Sequence, residues 1–387
     1  MVSRLAALTL LPLVASLQLQ SNNGEAIGAS EAEFRQFIAQ HQRTYVVGSH
    51  EYIQRMVLFS DHLRRAAELN ARPNKSWTAG VTPLADYLAQ ELQMLRGWKG
   101  ASSSASAASG PSPKLNLLQQ QQQPPREWLK WRQLQSFQEV ANQGFCGSCW
   151  AMATTNVLNA HREIYHNITE HLSTQELLNC VANPHNCGGS GGCSGATTEL
   201  AMAYVQQHGL SKAADHPYSG KADICGAGKR GSSLVDGRKD QSEGFRSLKM
   251  HGWQKLPENK YEPLKIALVT RGPVAVAVAA KGWEMYVSGI YSDCQPDVVI
   301  DHAVTLIAYG EDQDLKKKYW TLMNSWGASY GESGSIRLLR QDAEEAYCGI
   351  DRQPQVGTGC DGGPKEVRVC GTCGILYDSV VPIFAAE

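Results

Sequence analysis

The 387-residue sequence has no long apolar run, no basic block and no internal repeat. Its most apolar stretch, Leu5 to Val14, is far shorter than the ~18 residues a membrane-crossing helix needs, and no later stretch reaches that length. Lys and Arg number 36 against 37 Asp and Glu, so the formal net charge is −1. That balance, without a cationic cluster, offers nothing to nucleic acid or to an anionic membrane. Cysteine is absent from the N-terminal part, and all eleven cysteines lie beyond residue 145.

What is present divides the chain into parts. Arg4, the apolar run behind it and the small-residue site Val14-Ala15-Ser16 read as a secretory signal peptide over residues 1–16. Residues 98–125 read as a linker. Ala and Ser alone fill 101–108, Gly110-Pro111-Ser112-Pro113 follows, and then come Gln119 to Gln123 and Pro124-Pro125. Such sequence cannot bury enough apolar area to offset its ordering entropy, and it suits proteolysis. Between them, residues 30–97 carry helical spacing at Phe34, Phe37 and Ile38, and again at Tyr52, Met56 and Phe59. The switch to a Cys- and Gly-rich chain after the linker marks a domain boundary, with residues 126–355 as the main domain and 356–387 as a Cys-rich C-terminal extension.

The chemistry concentrates in Gln143-Gly144-Phe145-Cys146-Gly147-Ser148-Cys149-Trp150-Ala151. Cys149 stands where a helix begins, and the exposed N–H groups and partial positive charge of a helix N-terminus favour a thiolate. A secretory chain permits disulfides, and an odd cysteine count leaves one thiol over. If Cys149 is that thiol, ten cysteines remain for five bridges. A thiolate nucleophile needs a base, and His302 lies in the β-branched run Val298 to Gly310. Asn324, before Ser325-Trp326-Gly327, is suited to hold the imidazole in one orientation, with Trp326 shielding their bond from water. The Gln143 amide and the Cys149 N–H are candidate donors to a developing oxyanion.

Residues 146–150 match Cys-Gly-[Ser/Ala]-Cys-[Trp/Tyr] at every position, and on these motifs the chain resembles a papain-family cysteine protease. The N-terminal segment resembles the family's inhibitory pro-domain. Glu51, Arg55, Phe59 and Asn70 match its long-helix pattern, whereas His62 and Ala66 depart from it. Gly80, Asp86 and Glu91 match a second motif, from which Thr82 and Leu84 depart.

The resemblance implies an α+β, papain-like fold of two subdomains, a helical left half and a β-barrel-like right half, with the active site in the cleft and a helical pro-domain ahead of it. It implies a cathepsin-like cysteine endopeptidase made as a zymogen, since no paired-histidine insertion of the cathepsin B type blocks the primed side. Hydrolysis would pass through an acyl-enzyme on Cys149, with Cys149 and His302 paired as thiolate and imidazolium. A mature chain would begin near Pro124 to Glu127. The pro-domain would inhibit its own protease until carboxylates protonate at acid pH.

The resemblance also implies a substrate strand at Gly195-Ala196. It implies an S2 pocket lined by Thr197, Thr198, Ala277, Ile300 and Ala303, with Gln353 near its floor, suited to a medium apolar residue. Trp326 completes the substrate-binding set. Implied disulfides are Cys146–Cys193, Cys180–Cys225 and Cys294–Cys348. Cys187, Cys360, Cys370 and Cys373 would form two more, one tying the tail to the Cys187 loop, although sequence leaves connectivity open. Cys370-Gly371-Thr372-Cys373 has the spacing of a redox pair or half a zinc site but lacks a second such pair, so no metal or cofactor is expected. Asn167 and Asn74 begin glycosylation sequons. The expected partners are peptide and protein substrates and the chain's own pro-domain, in a monomer of the extracellular space, lysosome or vacuole. A catalytically silent papain-like binding protein and an inhibitor acting through the pro-segment are the rival readings.

Overall fold

The computed structural model describes residues 24–97, 127–226, 248, 250–343 and 347–384, with side chains from residue 31 onward. The expected signal peptide and linker fall outside these residues. The chain divides into a unit ending at Met56 and a second unit from Val57 onward. In the first, helix α1 (Gly24–Gln40) precedes the start of α2 (His50–Asn70). Buried Phe34 meets Tyr52 edge-on, with ring centroids 5.3 Å apart. Glu51 and Arg55 form the i, i+4 ion pair that their spacing predicts, at 3.6 Å.

In the second unit the end of α2 is fastened to a short strand, β1 (Trp77–Ala79). The Asn70 amide donates to Ala79 O (2.8 Å) and accepts from Ala79 N (2.9 Å), a two-point clamp on the strand backbone. His62, which departs from the family pattern, still finds a partner, its Nε2 donating to Gly80 O at 2.8 Å. Strand β1 pairs antiparallel with β4 (Tyr286–Tyr291), so the N-terminal segment adds an edge strand to the sheet that follows. The short helix α3 (Ala89–Met94) starts where Glu91 accepts from Leu88 N (2.7 Å).

The helical half comprises α4 (Cys149–His166), α5 (Thr174–Cys180) and α6 (Thr198–His208). Ser173 and Thr197 cap α5 and α6 by accepting from Glu176 N and Leu200 N. Trp150, Leu158, Leu177 and Met202 fill the core between these helices. The other half is an open eight-stranded sheet in the order β1-β4-β7-β6-β5-β3-β10-β2. Its remaining strands are β2 (Met250–Lys255), β3 (Val274–Val278), β5 (His302–Asp312), β6 (Lys317–Met323), β7 (Ser335–Leu339) and β10 (Ser379–Phe384). Helix α7 (Tyr261–Thr270) precedes β3. The expected barrel-like half is thus a sheet with two free ends among the described residues. Strand β5 is buried from His302 to Gly310, which is why its sequence is a continuous apolar run with no alternation. No described helix is long and apolar enough to cross a membrane.

Two expectations about the C-terminus are corrected. Within the expected extension 356–387, the described residues 356–384 are not an appendage. Strand β10 lies between β3 and β2, its Val380 packs in the core shared with the helices, and Val381 packs in the sheet core. Cys294 is bonded to Cys373, not to Cys348. Cys348 bonds Cys370 instead, because these two residues are direct cross-strand partners in the hairpin β8 (Cys348–Asp351) and β9 (Val367–Cys370). Cys370 and Cys373 therefore go to different partners and do not form one redox pair.

The remaining bridges are Cys146–Cys193, Cys180–Cys225 and Cys187–Cys360. The last fastens the 353–361 segment to the 185–189 loop. Gly188 N donates to Gly359 O, and Asp361 N donates to His185 O, both at 2.9 Å. Asn167 and Asn74 are exposed in left-handed turns, as glycosylation acceptors must be accessible.

Because β10 is interior, Val381→Ala is expected to lower the unfolding free energy of the precursor by about 2 kcal/mol. Deleting 374–387 is expected to abolish a cooperative transition. Denaturant titration checks both; a tail outside the fold would leave the midpoint unmoved.

Candidate active site

The loop before α4 is built around the Gln143 amide, which is fully buried. Ser325 Oγ donates to Gln143 Oε1 at 2.6 Å, and this fixes which end of the amide faces away. Gln143 Nε2 then donates to two carbonyls, Cys146 O and Leu95 O, each at 2.8 Å. Tyr218 Oη holds the loop from the other side, donating to Gln143 O (2.8 Å) and meeting Ser148 Oγ (2.6 Å). Cys149 opens α4 directly after Ser148, so its backbone N–H is one of the donors a helix leaves unpaired. Cys149 is the free cysteine among the described residues.

His302 is the first residue of β5, and Asn324 directly follows β6. The His302 Nε2–H donates to Asn324 Oδ1 at 2.8 Å, and the same oxygen accepts from Ser325 N. This bond sets the tautomer, leaving the lone pair on Nδ1, which is buried and makes no hydrogen bond. The Trp326 ring lies over the imidazole at 5.1 Å and is itself 4% exposed, so water is kept from the His302–Asn324 bond. Trp320 belongs to the sheet core.

Cys149 and His302 line one pocket, and the N-terminal segment covers it. Leu95 O takes the Gln143 amide. Gly97, at φ +79°, runs so close that a Cβ on it would stand 3.8 Å from Cys149 Sγ. A Cβ on Gly195, at φ +92°, would stand 2.3 Å from both Gly97 O and Gly188 O, so only glycine admits this approach. Ala196 has no positive φ, and its methyl lines the pocket without strain.

This cover decides the charges. Burial pushes the Cys149 thiol up to about 11, despite nearby backbone donors, and pushes the His302 imidazole down to about 4. In the covered site burial therefore favours the neutral form of each group over the thiolate–imidazolium pair. Asp301 is pushed up to about 6 by burial, against the pull of the Arg96 guanidinium, whose Nε lies 3.4 Å from its Oδ2.

Gly195, Ala196, Thr197, Thr198, Ala277 and Ala303 all line the pocket. Three members of the predicted substrate-binding set do not, and one of them, Trp326, packs in the sheet core over His302. Ile300 is fully buried with its side chain turned onto Gly374, and Gln353 begins the 353–361 segment. In their place the pocket carries Glu199, Asp301 and Asp378, with Gly357 and Thr358 from the disulfide-tied segment. Asp378 is not legible in the sequence, because Cys-Gly-Ile occurs twice, at 348–350 and 373–375, and the implied Cys294–Cys348 bridge and Gln353 floor both follow the first copy. The Val-Val-Pro run after the second copy was the available signal.

Residues 125–358 match the model of the papain family cysteine proteases, and residues 34–92 match the cathepsin propeptide inhibitor domain. A cathepsin L-like proteinase of Phaedon cochleariae is 31% identical over 332 residues, covering 84% of this chain and 93% of its own. Cathepsin L of Sarcophaga peregrina is 27% identical over 360 residues, covering 90% and 97%. The recombinant stem bromelain precursor superposes with TM-score 0.66 at 25% identity, over 92% of this chain and 99% of that one. Procathepsin L 3 of Tenebrio molitor larval midgut shares the fold with TM-score 0.69 at 23% identity, over 91% and 98%. The chain belongs to the papain family of cysteine proteases, and the structure is that of a cysteine endopeptidase zymogen still carrying its propeptide inhibitor domain.

Proposed function

We propose that Cys149 is the nucleophile, that His302 is its base and then the acid to the leaving amine, and that Asn324 positions His302. Gln143 Nε2 and Cys149 N–H stabilise the oxyanion. The observation that carries this reading is the Gln143–Leu95 contact. The pro-segment offers a peptide carbonyl to the donor that would receive a substrate's oxyanion, while Gly97 lies against the thiol. Removing the segment readmits water to Cys149 and His302, which weakens the burial that now favours their neutral forms and lets the helix N-terminus favour the thiolate. The thiolate attacks the scissile carbonyl, His302 protonates the departing amine, and water later attacks the acyl-enzyme with His302 as base.

The pro-segment, as 30–97, acts as the intramolecular inhibitor, and cleavage within 98–125 releases an enzyme starting near residue 126. Five disulfides suit the secretory pathway, with the extracellular space or a lysosome or vacuole as destination. The enzyme works as a monomer on peptide and protein substrates, without a cofactor, and Asn167 and Asn74 are its glycosylation acceptors.

Acid release follows from Arg96 and Asp301. While Asp301 is ionised it attracts Arg96. Burial raises its carboxyl, so the charge, and the attraction with it, is lost as pH falls through about 6. Asp301→Asn precursor is therefore expected to process at neutral pH about fivefold faster than wild type, with little further gain on acidification. Gel-monitored processing between about pH 4 and pH 7 checks this; an unchanged pH profile contradicts it.

Cys149→Ser is expected to lose peptide hydrolysis by at least about a thousandfold and all labelling by an epoxysuccinyl thiol inhibitor. Intact-mass measurement and peptide mapping locate the label; a label elsewhere, or residual turnover, rejects the assignment. Gln143→Ala is expected to lower kcat by about 10²–10³ with a smaller change in KM. Equal changes in both constants would mark Gln143 as a binding residue and not an oxyanion donor.

A further inference from the structure

The wall of the pocket beside Cys149 carries three carboxyl groups, those of Glu199, Asp301 and Asp378. Asp378 enters it from the turn before β10 and is 3% exposed. Its Oδ1 lies 3.4 Å from the Lys255 ammonium, and the Glu199 carboxyl also interacts with its side chain. That ammonium is also 3.3 Å from Glu199, which shares the pocket wall, and 3.4 Å from Glu258. One cation thus answers three carboxyls. The third carboxyl in the pocket wall, Asp301, is answered by Arg96, and Arg96 leaves with the pro-segment.

The rest of the lining is small. Ala196, Thr198, Ala277 and Ala303 share the wall with the carboxyls. With Arg96 and Gly97 in place the remaining void is only about 20 Å³, so the pro-segment itself presents a guanidinium residue to this pocket. A long unbranched side chain could lay its methylenes along the small residues and bring a charged head to the carboxyls. Burial and the neighbouring Glu199 hold the Asp378 carboxyl above its ordinary range. A second cation would relieve that repulsion, which one ammonium shared among three carboxyls leaves in place.

We propose that Asp378, with Glu199 beside it, makes this pocket select substrates carrying arginine or lysine at P2, the second residue before the cleaved bond. The inference rests on Cys149 as nucleophile and on this pocket as the P2 subsite. It replaces the medium apolar P2 residue expected from sequence, which assumed Gln353 at the floor. Arginine fits best, because its planar fork can engage two carboxyls at once.

The test uses the matured full-length enzyme and two fluorogenic dipeptide substrates, Leu-Arg and Arg-Arg, which differ only at P2. Active sites are counted by epoxysuccinyl titration. Wild type is expected to cleave the Arg-Arg substrate at least as well as Leu-Arg in kcat/KM. Asp378→Asn is expected to lower the Arg-to-Leu ratio about tenfold to a hundredfold, the loss of one charge-assisted contact. Glu199→Gln should move the ratio the same way. A wild type preferring Leu-Arg by about tenfold or more, or an Asp378→Asn ratio within about twofold of wild type, overturns the proposal. Should Asp378→Asn fail to fold, the wild-type preference across a set of P2 residues decides alone. Labelling of Cys149 with cleavage of Leu-Arg only would overturn the pocket inference and leave the protease reading standing. No label and no cleavage of either substrate would overturn both.

Discussion

Exclusion of water from Cys149 and His302 governs the behaviour of this molecule. A thiol at a helix N-terminus beside an imidazole would ordinarily be poised to ionise. Here a peptide segment seals both groups in, and desolvation, opposed by the neighbouring donors, pushes the thiol up and the imidazole down, toward their neutral forms. Inhibition is therefore electrostatic as well as steric. The same segment that fills the cleft removes the solvent that the reactive ion pair needs.

The seal is assembled from backbone contacts. Strand β1 extends the protease sheet by pairing with β4, and Asn70 clamps β1 to the end of α2. From that anchor α3 delivers Leu95 to the Gln143 amide and Gly97 to the thiol. Apolar side chains add to them, since Ala66, Trp77, Leu84 and Leu95 pack in the sheet core. The pro-segment keeps its place although His62, Ala66, Thr82 and Leu84 depart from the family pattern, because Ala66 and Leu84 are still buried there. His62 and Thr82 simply bond other backbone carbonyls, Gly80 O and Glu284 O.

The protease half owes its distinctive pocket to the region after β7. The hairpin of β8 and β9 carries Cys348 and Cys370, and the loop between its strands is bonded through Cys360 to the Cys187 loop of the helical half. The second Cys-Gly-Ile triplet, Cys373 to Ile375, follows that hairpin. There Cys373 closes on Cys294, and β10 slots between β3 and β2. Asp378 reaches the pocket only because of that placement.

Local pattern alone determined much of this protein. Residues 143–151, the apolar strand opening at His302, and Asn324 before Ser325-Trp326-Gly327 each carry their signal within a few neighbours. Their chemistry needs particular residue types at fixed local positions, so catalytic constellation, family and pro-domain were legible. Tertiary structure alone decided what depends on distant segments meeting. It decided which Cys-Gly-Ile triplet joins the sheet and which cysteine Cys294 takes. It decided that Asp378, and not Gln353, lines the pocket beside Cys149, and that burial under the pro-segment drives the thiol and imidazole toward their neutral forms. Two identical triplets have identical local propensities; only the burial of Val380 and Val381 and the cross-strand pairing of Cys348 with Cys370 separate them.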